Sequence, residues 1–477
     1  MSLFRKKNST VTVNSILEQF KDCEDLEHEF VSDLNLHLLF FAYLTDDFSF
    51  EQKITRPFFD HHSNKEALSD ILKRSIYVPC SDLKEAVRKI LEGHVAIFFE
   101  DTLYLTDVFG PQTRAIEKSE RETTIVGSLE AFNESNVTNL SLIRRRLKSS
   151  DLKVLKLSAG EITKTDVLIL YLENIANKVF VEKLTERIKS VNTDYVLDSN
   201  MFVQLIDDNP YSLFPQFLTT ERPELATSKL ALGKVIGLVE GSPSTFIAPT
   251  NFFEFFQSPD DISQRWGLGT ATKILRYIAF FITLTFTALY VAVTTFHYEM
   301  IPETLLISLA ESRNRVPFPP LIEAFIMEFT IELLREAGAR LPAKIGQTIG
   351  IVGGIVIGQA AVDAGLVSNT LIIAVAISAI SSFVMPNYLL SAALRVARFG
   401  LIVLAGVLGN LGLTIGIAFL VIHLSKLTNL DSSYLLPVAP NYFRDWKSAF
   451  IRAPFSEITK RPAQSVSQNV RKHRMKK

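Results

Sequence analysis

Four stretches in the second half of the chain, Tyr277 to Phe296, Ile345 to Val362, Leu366 to Met385 and Phe399 to Leu424, are apolar over a length that can cross a bilayer, for which about 20 helical residues suffice. Hydrocarbon offers backbone amides no partners, so such stretches restrict this half to membrane helices. Four crossings bring the chain back to the side on which it began. The start, MSLFRKKNST, has no apolar core and does not read as a secretory signal, so the polar half is expected in the cytoplasm. From Asn429 onward ten Lys or Arg stand against Asp431, Asp445 and Glu457, within a chain whose net charge is −1. A basic tail beside the last crossing marks the cytoplasmic side and is expected to lie against anionic headgroups. Nucleic-acid binding is the competing use of such a tail, and nucleic acid is not expected as a partner.

Composition agrees with a chain of two unlike halves. Mean hydropathy is +0.20 while 21% of the residues are charged, and the change falls near residue 270. A length of 477 residues accommodates several domains. The expected architecture is an α/β cytoplasmic region of two related lobes, 1–120 and 121–270, followed by an all-α polytopic membrane domain, 271–426, and a basic cytoplasmic tail, 427–477. Cys23 and Cys80 form no CxxC pair, which argues against a disulfide framework or structural zinc and suits a reducing compartment.

Relatedness of the lobes is read from short matches. GHVAIFFED places Gly93, Val95 and Glu100 at the offsets of Gly233, Val235 and Glu240 in GKVIGLVEG, each a strand entering a hairpin. LLFFAYLTD, with Tyr43 and Leu44, matches LILYLENIA, with Tyr171 and Leu172. The latter leads into a stretch whose Phe180, Val181, Leu184, Ile188 and Val191 keep helical spacing. The lobes are expected to meet around residues 109–135.

The second apolar run, IGQTIGIVGGIVIGQAAV, carries Gly346, Gly350, Gly354 and Gly358 at every fourth position. At about 100° per residue these and Gly353 occupy one half of a helix. Between lipid tails, association depends on close backbone approach, which a ridge without side chains permits. The opposite face has Thr348, Val352, Ile355, Gln359 and Asp363, polar near both ends and branched-apolar in the middle. That suits a water-filled path with a dry constriction at Val352 and Ile355, flanked by Thr348 and Gln359. A packing helix with interfacial ends accounts for the same residues, and a rotation of about 100° would put Gln347 and Gly354 on the path.

Between the first two runs lies RVPFPPLIEAFIMEFTIELLREAGARLPAK, where Pro317, Pro319 and Pro320 suit a helix start and Gly338 and Pro342 its end. Glu328, Glu332 and Glu336 share a stripe with Arg335 at its edge. A carboxylate at the bilayer centre costs about 2.5–3.5 kcal/mol, so the helix near 318–338 is expected at an interface, or re-entrant and facing a water-filled vestibule. It reads either as a surface helix tied by Glu332–Arg335 and Glu336–Arg340 pairs, or as stacked acidic rings drawing cations to the mouth of an oligomeric pore.

No catalytic constellation emerges, an enzyme is the weaker class, and neither cofactor nor metal is expected. Lys234 in LALGKVIG lacks the upstream glycine and following hydroxyl of a phosphate loop and reads as a strand residue. His61 and His62 are adjacent and point apart, and His423 reads as interfacial. Arg144, Arg145 and Arg146 could meet phosphate but read as a solvated helix face or subunit salt bridges. A secondary transporter would show inverted repeats among its membrane segments, and none is visible.

The longest motifs resemble one family. PFPPLIEAFIMEFTIELLREAGARLP followed by IGQTIGIVGGIVIGQAAVDAGLVS, together with NLSLIRRR, LFPQFLTTERPE, GLVEGSPSTFIAP and SPDDISQRW, resembles the A subunit of the GerA-type spore germinant receptors, the GerAA, GerBA and GerKA-like family, over nearly all of residues 125–430. The resemblance implies a subunit of the inner membrane of the dormant bacterial endospore, with both termini on the core side. Its implied partners are a transporter-like B subunit that recognises a nutrient and a C-subunit lipoprotein. It further implies a homo-oligomeric ring, a pentamer, whose centre releases monovalent cations when nutrient is sensed. The glycine ridge would pack neighbouring copies, while Glu328, Glu332 and Glu336 would draw cations. A non-conducting scaffold of the germination complex and the related sporulation-stage A-like protein are the alternatives. The chain departs from the family pattern at Ile125, Val126, Gly127 and Ser128, where an Arg-Gly-Pro-like stretch is usual, and SPDDISQRW lacks the aromatic pair after its two aspartates. About the first hundred residues carry little of the pattern.

Overall fold

The computed structural model describes residues 11–59, 65–110, 122, 127–341, 353–354 and 356–472. Two antiparallel sheets dominate the first half. One is built from β1 (Glu27–Val31), β2 (Leu36–Phe40), β3 (Val78–Cys80), β4 (His94–Phe99) and β5 (Thr102–Asp107), in the order β1-β2-β4-β5-β3. The other contains β6 (Leu152–Ala159), β7 (Thr165–Leu172), β8 (Leu218–Thr220), β9 (Val235–Val239) and β10 (Thr245–Ala248), in the order β6-β7-β9-β10-β8. The orders are the same, with the third strand carried to the far edge and a hairpin filling the gap. Gly93 and Gly233 stand just before β4 and β9 with φ of +88° and +87°, a region that disfavours other side chains.

The tyrosine match is out of register. With Val95 equivalent to Val235, Leu39 faces Ala96 in the first sheet where Leu170 faces Ile236 in the second. The counterpart of Tyr171 is therefore Phe40, and Tyr43 lies beyond its strand in the turn Ala42–Leu44. A shift of three residues also exchanges the faces of a strand.

The second sheet is buried on both sides. Val167, Ile169 and Tyr171 pack towards the helix Lys178–Ser190 with Phe180, Leu184 and Ile188, and Asn177 starts that helix by accepting from the Val179 amide. Leu168, Leu170 and Leu172 face a core that runs without interruption into the apolar helices. The sheets are joined by a bridge between Cys23 and Val154 and by Arg144, which donates to Asp25 at 2.7 and 2.9 Å with both side chains buried. Arg146 pairs with Glu130, and Arg145 alone of the three arginines is exposed. The expected solvated arginine face is thus a lobe-to-lobe clamp at Arg144.

The second half is helical. A leading helix, Trp266–Phe296, leaves the second lobe, held at its start by Arg276 on Asp261 at 2.7 Å and by Lys273 on the Ser448 carbonyl. The acidic helix, Pro320–Arg340, begins with Pro320 in its first turn. A short apolar helix, Asn369–Phe383, follows, and then Tyr388–Lys426. Two of these, the leading helix and Tyr388–Lys426, are long and apolar enough to cross a membrane among the described residues.

Tyr388–Lys426 is two arms. Gly409, with φ +63° and ψ −143°, breaks it, and the chain folds back so that Gly412 lies against the Leu404 carbonyl and Gly416 against Leu401. The run expected as a single crossing is a helical hairpin whose turn lies beside Phe296 and His297 at the far end of the leading helix. Its second arm returns to the second lobe, where His423 bonds Ser212 at 3.0 Å and packs on Phe214.

The tail does not hang free. Tyr434 is buried with its hydroxyl on the Pro215 carbonyl at 2.6 Å, Arg461 donates to the Ala231 carbonyl at 2.9 Å, and the Gln468 amide to the Ile175 carbonyl. The tail as far as Lys472 straps the second lobe to the root of the leading helix.

Candidate functional site

The acidic helix buries two of its carboxylates and leaves four large apolar side chains outside. Ile322, Ile326, Phe329 and Leu333 are exposed along one side, whereas Glu323 and Glu328 are buried. Each inward carboxylate meets a cation from another segment. Glu323 accepts from the Ser368 amide at 3.0 Å, at the start of the short apolar helix, and lies 3.6 Å from Arg313. Glu328 pairs with Arg398 at 2.6 Å, both side chains at 0% exposure, and accepts from Thr287 at 2.7 Å. Glu332 lies 3.2 Å from Arg395, 3.4 Å from Arg398 and 3.9 Å from Arg335. Glu336 pairs with Arg340 on the exposed side.

The sequence anticipated the Glu332–Arg335 and Glu336–Arg340 pairs. It also anticipated an open acidic stripe, which Glu328 and Glu332 do not form, because arginines of the first arm reach across and occupy them. A carboxylate inside a bundle is tolerated only when paired and hydrogen-bonded, and Arg395 and Arg398 meet that need. These two arginines went unmarked in the sequence, although a charge within LLSAALRVARFGLIVL is itself the signal for an interior polar site.

Pairing also fixes helix directions. Leu321 meets Gly406, Glu328 meets Arg398 and Glu332 meets Arg395, so the acidic helix and the first arm run antiparallel. Glu323 meets Ser368 and Arg335 meets Ser382 at 2.9 Å, so the acidic and short apolar helices run parallel. Ser378 donates to the Thr283 carbonyl and Tyr290 bonds Thr370, so the leading and short apolar helices are antiparallel.

The glycine run is only partly visible. Thr348, Val352, Ile355, Gly346 and Gly350 lie outside the described residues, as do His61 and His62. Gln359 is exposed and donates to Asp363 at 3.0 Å. A Cβ placed on Gly353 would sit 3.0 Å from Leu334 of the acidic helix, while at Gly354 and Gly358 nothing among the described residues comes within 4 Å. Gly353, next to the fourfold series, is thus a packing glycine of this run among the described residues.

The family described as Bacillus/Clostridium GerA spore germination protein matches residues 13–464. The chain belongs to the GerA family. This GerA-family chain is 44% identical over 390 residues to the Bacillus cereus spore germination protein GerQA, covering 81% of this chain and 78% of that protein. It is 36% identical to the Bacillus subtilis spore germination protein KA, covering 91% and 81%, and 37% identical to the Bacillus subtilis protein described as uncharacterized membrane protein YfkQ, covering 85% and 81%. Among solved structures, the N-terminal domain of the A subunit of the Bacillus megaterium spore germinant receptor GerK3 aligns with 50% of this chain and 94% of that one, at 23% identity and a TM-score of 0.37.

A second buried charge cluster lies where the second lobe of this GerA chain meets the leading helix. Lys234, expected as an ordinary strand residue, stands just before β9, fully buried, and bonds Glu254 and the Pro249 carbonyl. Lys229 reaches Glu254 at 2.7 Å, and tail residue Gln464 accepts from Lys234 at 3.2 Å and from Asn251 at 2.8 Å. Burial pulls the Glu254 carboxyl upward, but the two ammonium groups outweigh it and hold it down to about 2. Burial lowers Lys234 to about 8 against the opposing pull of Glu254. The charged members are paired with one another, while the buried Gln464 Nε2 has no hydrogen-bond partner, and the cluster ties the tail to the second lobe.

Proposed function

We propose that this chain is an A subunit of a nutrient-sensing spore germinant receptor and forms the homo-oligomeric membrane pore that releases monovalent cations when a partner subunit binds germinant. The germination role rests on GerA membership over residues 13–464. The observation that carries membrane embedding is the acidic helix, whose exposed Ile322, Ile326, Phe329 and Leu333 and inward, paired glutamates suit a lipid surround. A helix of 21 residues spans about 31 Å, the thickness of a bilayer core.

In this reading the acidic helix is itself a crossing and the hairpin at Gly409 contributes two. The leading helix, the acidic helix, the segment 342–365, the short apolar helix and the two arms then make six passes. An even number keeps both ends of the chain on one side, the cytoplasmic or core side of the inner spore membrane, with ring formation, as a pentamer, through the glycine face. The implied partners are the transporter-like, nutrient-binding B subunit and the lipoprotein C subunit. Gly354 is half-buried and a Cβ there would meet nothing within 4 Å among the described residues, which supports contact with a neighbouring copy. Thr348, Val352, Ile355 and Gln359 are the proposed lining of the path, with the constriction at Val352 and Ile355.

Cation attraction by Glu328 and Glu332 is not retained, because both are paired; of the three carboxylates, Glu336 alone lies on the exposed side. That observation also favours a second reading, a non-conducting scaffold. Potassium release from dormant spores without nutrient separates the two. Spontaneous release with Val352→Ala or Ile355→Ala, at normal protein level, supports the pore. Parental behaviour of both, and of substitutions at Gln347 and Gly354, supports the scaffold.

A further inference from the structure

The inward charges at the lobe-side end of the bundle do not balance. Arg335, Arg395 and Arg398 share Glu328 and Glu332, three guanidinium groups against two carboxylates, and the sequence from Leu341 to Val362 offers no Asp or Glu to make up the difference. Arg398 meets both glutamates and donates to Ser378 at 2.8 Å. Arg395 meets Glu332 at 3.2 Å and Ser391 at 3.0 Å. Arg335 is the cation left over. Glu332 stands 3.9 Å from it, its hydrogen bond goes to the neutral Ser382 hydroxyl at 2.9 Å, and its Nε is buried without a hydrogen-bond partner among the described residues. Arg335 also keeps 14% of its side chain open, against 9% for Arg395 and 0% for Arg398, so it is the one of the three that an anion from outside can reach.

The helix directions fix the height of this cation. Ser378 meets Thr283 of the antiparallel leading helix, so Ser382, one turn on, stands level with the start of the apolar run at Tyr277, just above the point where Arg276 holds that helix to the second lobe. Two exposed rings flank the arginines there, Phe383 under Arg335 at 4.4 Å and Tyr388 under Arg395 at 5.8 Å, as aromatic side chains do where a bundle passes from hydrocarbon to headgroups. We propose that Arg335, with Arg395 beside it, binds the phosphate of an anionic lipid in the lobe-side leaflet. This rests on the membrane reading above. A surplus guanidinium between helices is costly in a dry setting unless an anion reaches it, and its planar fork matches two phosphate oxygens at once. Basic pockets between membrane helices on the cytoplasmic side take lipid headgroups for the same reason.

The test is retention of labelled phosphatidylglycerol by the purified full chain in neutral detergent, with unlabelled phosphatidylglycerol, phosphatidylcholine and inorganic phosphate as competitors. Only the first is expected to displace the label, and Arg335→Gln is expected to weaken binding on the order of tenfold. Arg340→Gln removes the same charge from an exposed position just over one turn further along the helix and is expected to stay within about twofold of the parent. Equal loss in both variants, or loss in neither, overturns the site and leaves only general charge attraction. Displacement by inorganic phosphate as readily as by phosphatidylglycerol overturns the lipid as the source of the phosphate. If Arg335→Gln does not accumulate, Arg335→Lys, which keeps the charge and loses the fork, decides: severalfold weaker binding supports the site, and parental binding overturns it. Alkaline carbonate extraction of the parent keeps the two readings apart. A parent that stays with the membrane while its lipid binding ignores Arg335 loses the site alone, and a parent that is extracted loses the membrane reading and the site with it.

Discussion

Two helices of this chain are turned in opposite senses. In Lys178–Ser190 the buried residues are Phe180, Val181, Leu184 and Ile188, while Glu182, Glu186 and Lys189 point outward. In Pro320–Arg340 the buried residues include Glu323 and Glu328, while Ile322, Ile326, Phe329 and Leu333 point outward. Both obey one rule, that a helix presents to its surroundings what those surroundings solvate. The first has a surface for water, and the second has an apolar surface that, on the membrane reading proposed above, meets hydrocarbon. An acidic helix in a sequence therefore does not indicate which way its acids face; that depends on whether another segment supplies cations, as Arg395 and Arg398 do here.

Both regions nevertheless bury carboxylates, and the largest expected effect tests whether they do so on the same terms. Glu254→Ala would leave Lys229 and Lys234 unneutralised in a dry setting and should cost about 3–5 kcal/mol, read as a fall in the thermal midpoint of the purified full chain in detergent. Replacing Lys229, Lys234 and Glu254 together by Met, Met and Leu should return most of that loss. Because the Glu254 carboxyl is held down to about 2, below the unfolded value of about 4.3, its contribution is present above that unfolded value. It disappears as pH falls from there towards 2. A Glu254→Ala protein as stable as the parent would break the parallel between the two clusters.

The comparison of surfaces is tested by one change made twice. Phe329→Lys puts a charge on the outward face of the acidic helix and should disfavour membrane insertion by about 2.5–3.5 kcal/mol, seen as protein extracted from membranes by alkaline carbonate. Glu182→Lys on the water-type helix should change stability by no more than about 0.5 kcal/mol. If Phe329→Lys is tolerated as well as Glu182→Lys, the outer face of the acidic helix does not meet lipid.

How far each region could be read in the sequence follows from the same contrast. Lobe elements were legible because water imposes a period: the spacing of Phe180, Leu184 and Ile188 gave the helix, and the glycines before β4 and β9 marked the repeat. The tyrosine register failed because both faces of β2 and β7 are buried, so alternation does not say which residue faces which sheet side. In the bundle, apolar composition located helices but not their turns. Hydropathy runs unchanged through Gly409, and only the Gly409-Asn410 pair signalled the fold-back. Glu328 was visible as a carboxylate, but its partner lies 70 residues away, a distance that no local pattern spans. Gly409→Ala should therefore cost about 1–3 kcal/mol, since φ +63° with ψ −143° is a conformation nearly confined to glycine. The loss should appear as increased protease cleavage between the two arms, and an unchanged cleavage pattern would mean that the hairpin does not depend on that backbone.

A smaller effect than that at Gly409 is expected at the seam between the two regions, where Asp207 and Asp208 follow the helix Ser199–Ile206 of the second lobe. Asp208 is well served, accepting from Arg187, Thr428 and the Leu430 amide, whereas Asp207 has a buried carboxyl oxygen with no hydrogen-bond partner. Burial, reinforced by the neighbouring Asp208 charge and opposed by Arg187, pushes the Asp207 carboxyl up to about 7. The folded protein therefore holds a proton that the unfolded chain, with a carboxyl near 3.9, has already lost. Stability from this group is full below the unfolded value and declines as pH rises from about 4 to about 7. Asp207→Asn, which stays neutral, should leave stability at pH 4 nearly unchanged and raise it at pH 8 by about 1–2 kcal/mol, measured as the difference in thermal midpoint between the two pH values for variant and parent. A pH-independent offset would assign Asp207 to ordinary packing. A reduced slope would show that the seam between the lobe and the bundle loosens as the Asp207 carboxyl ionises.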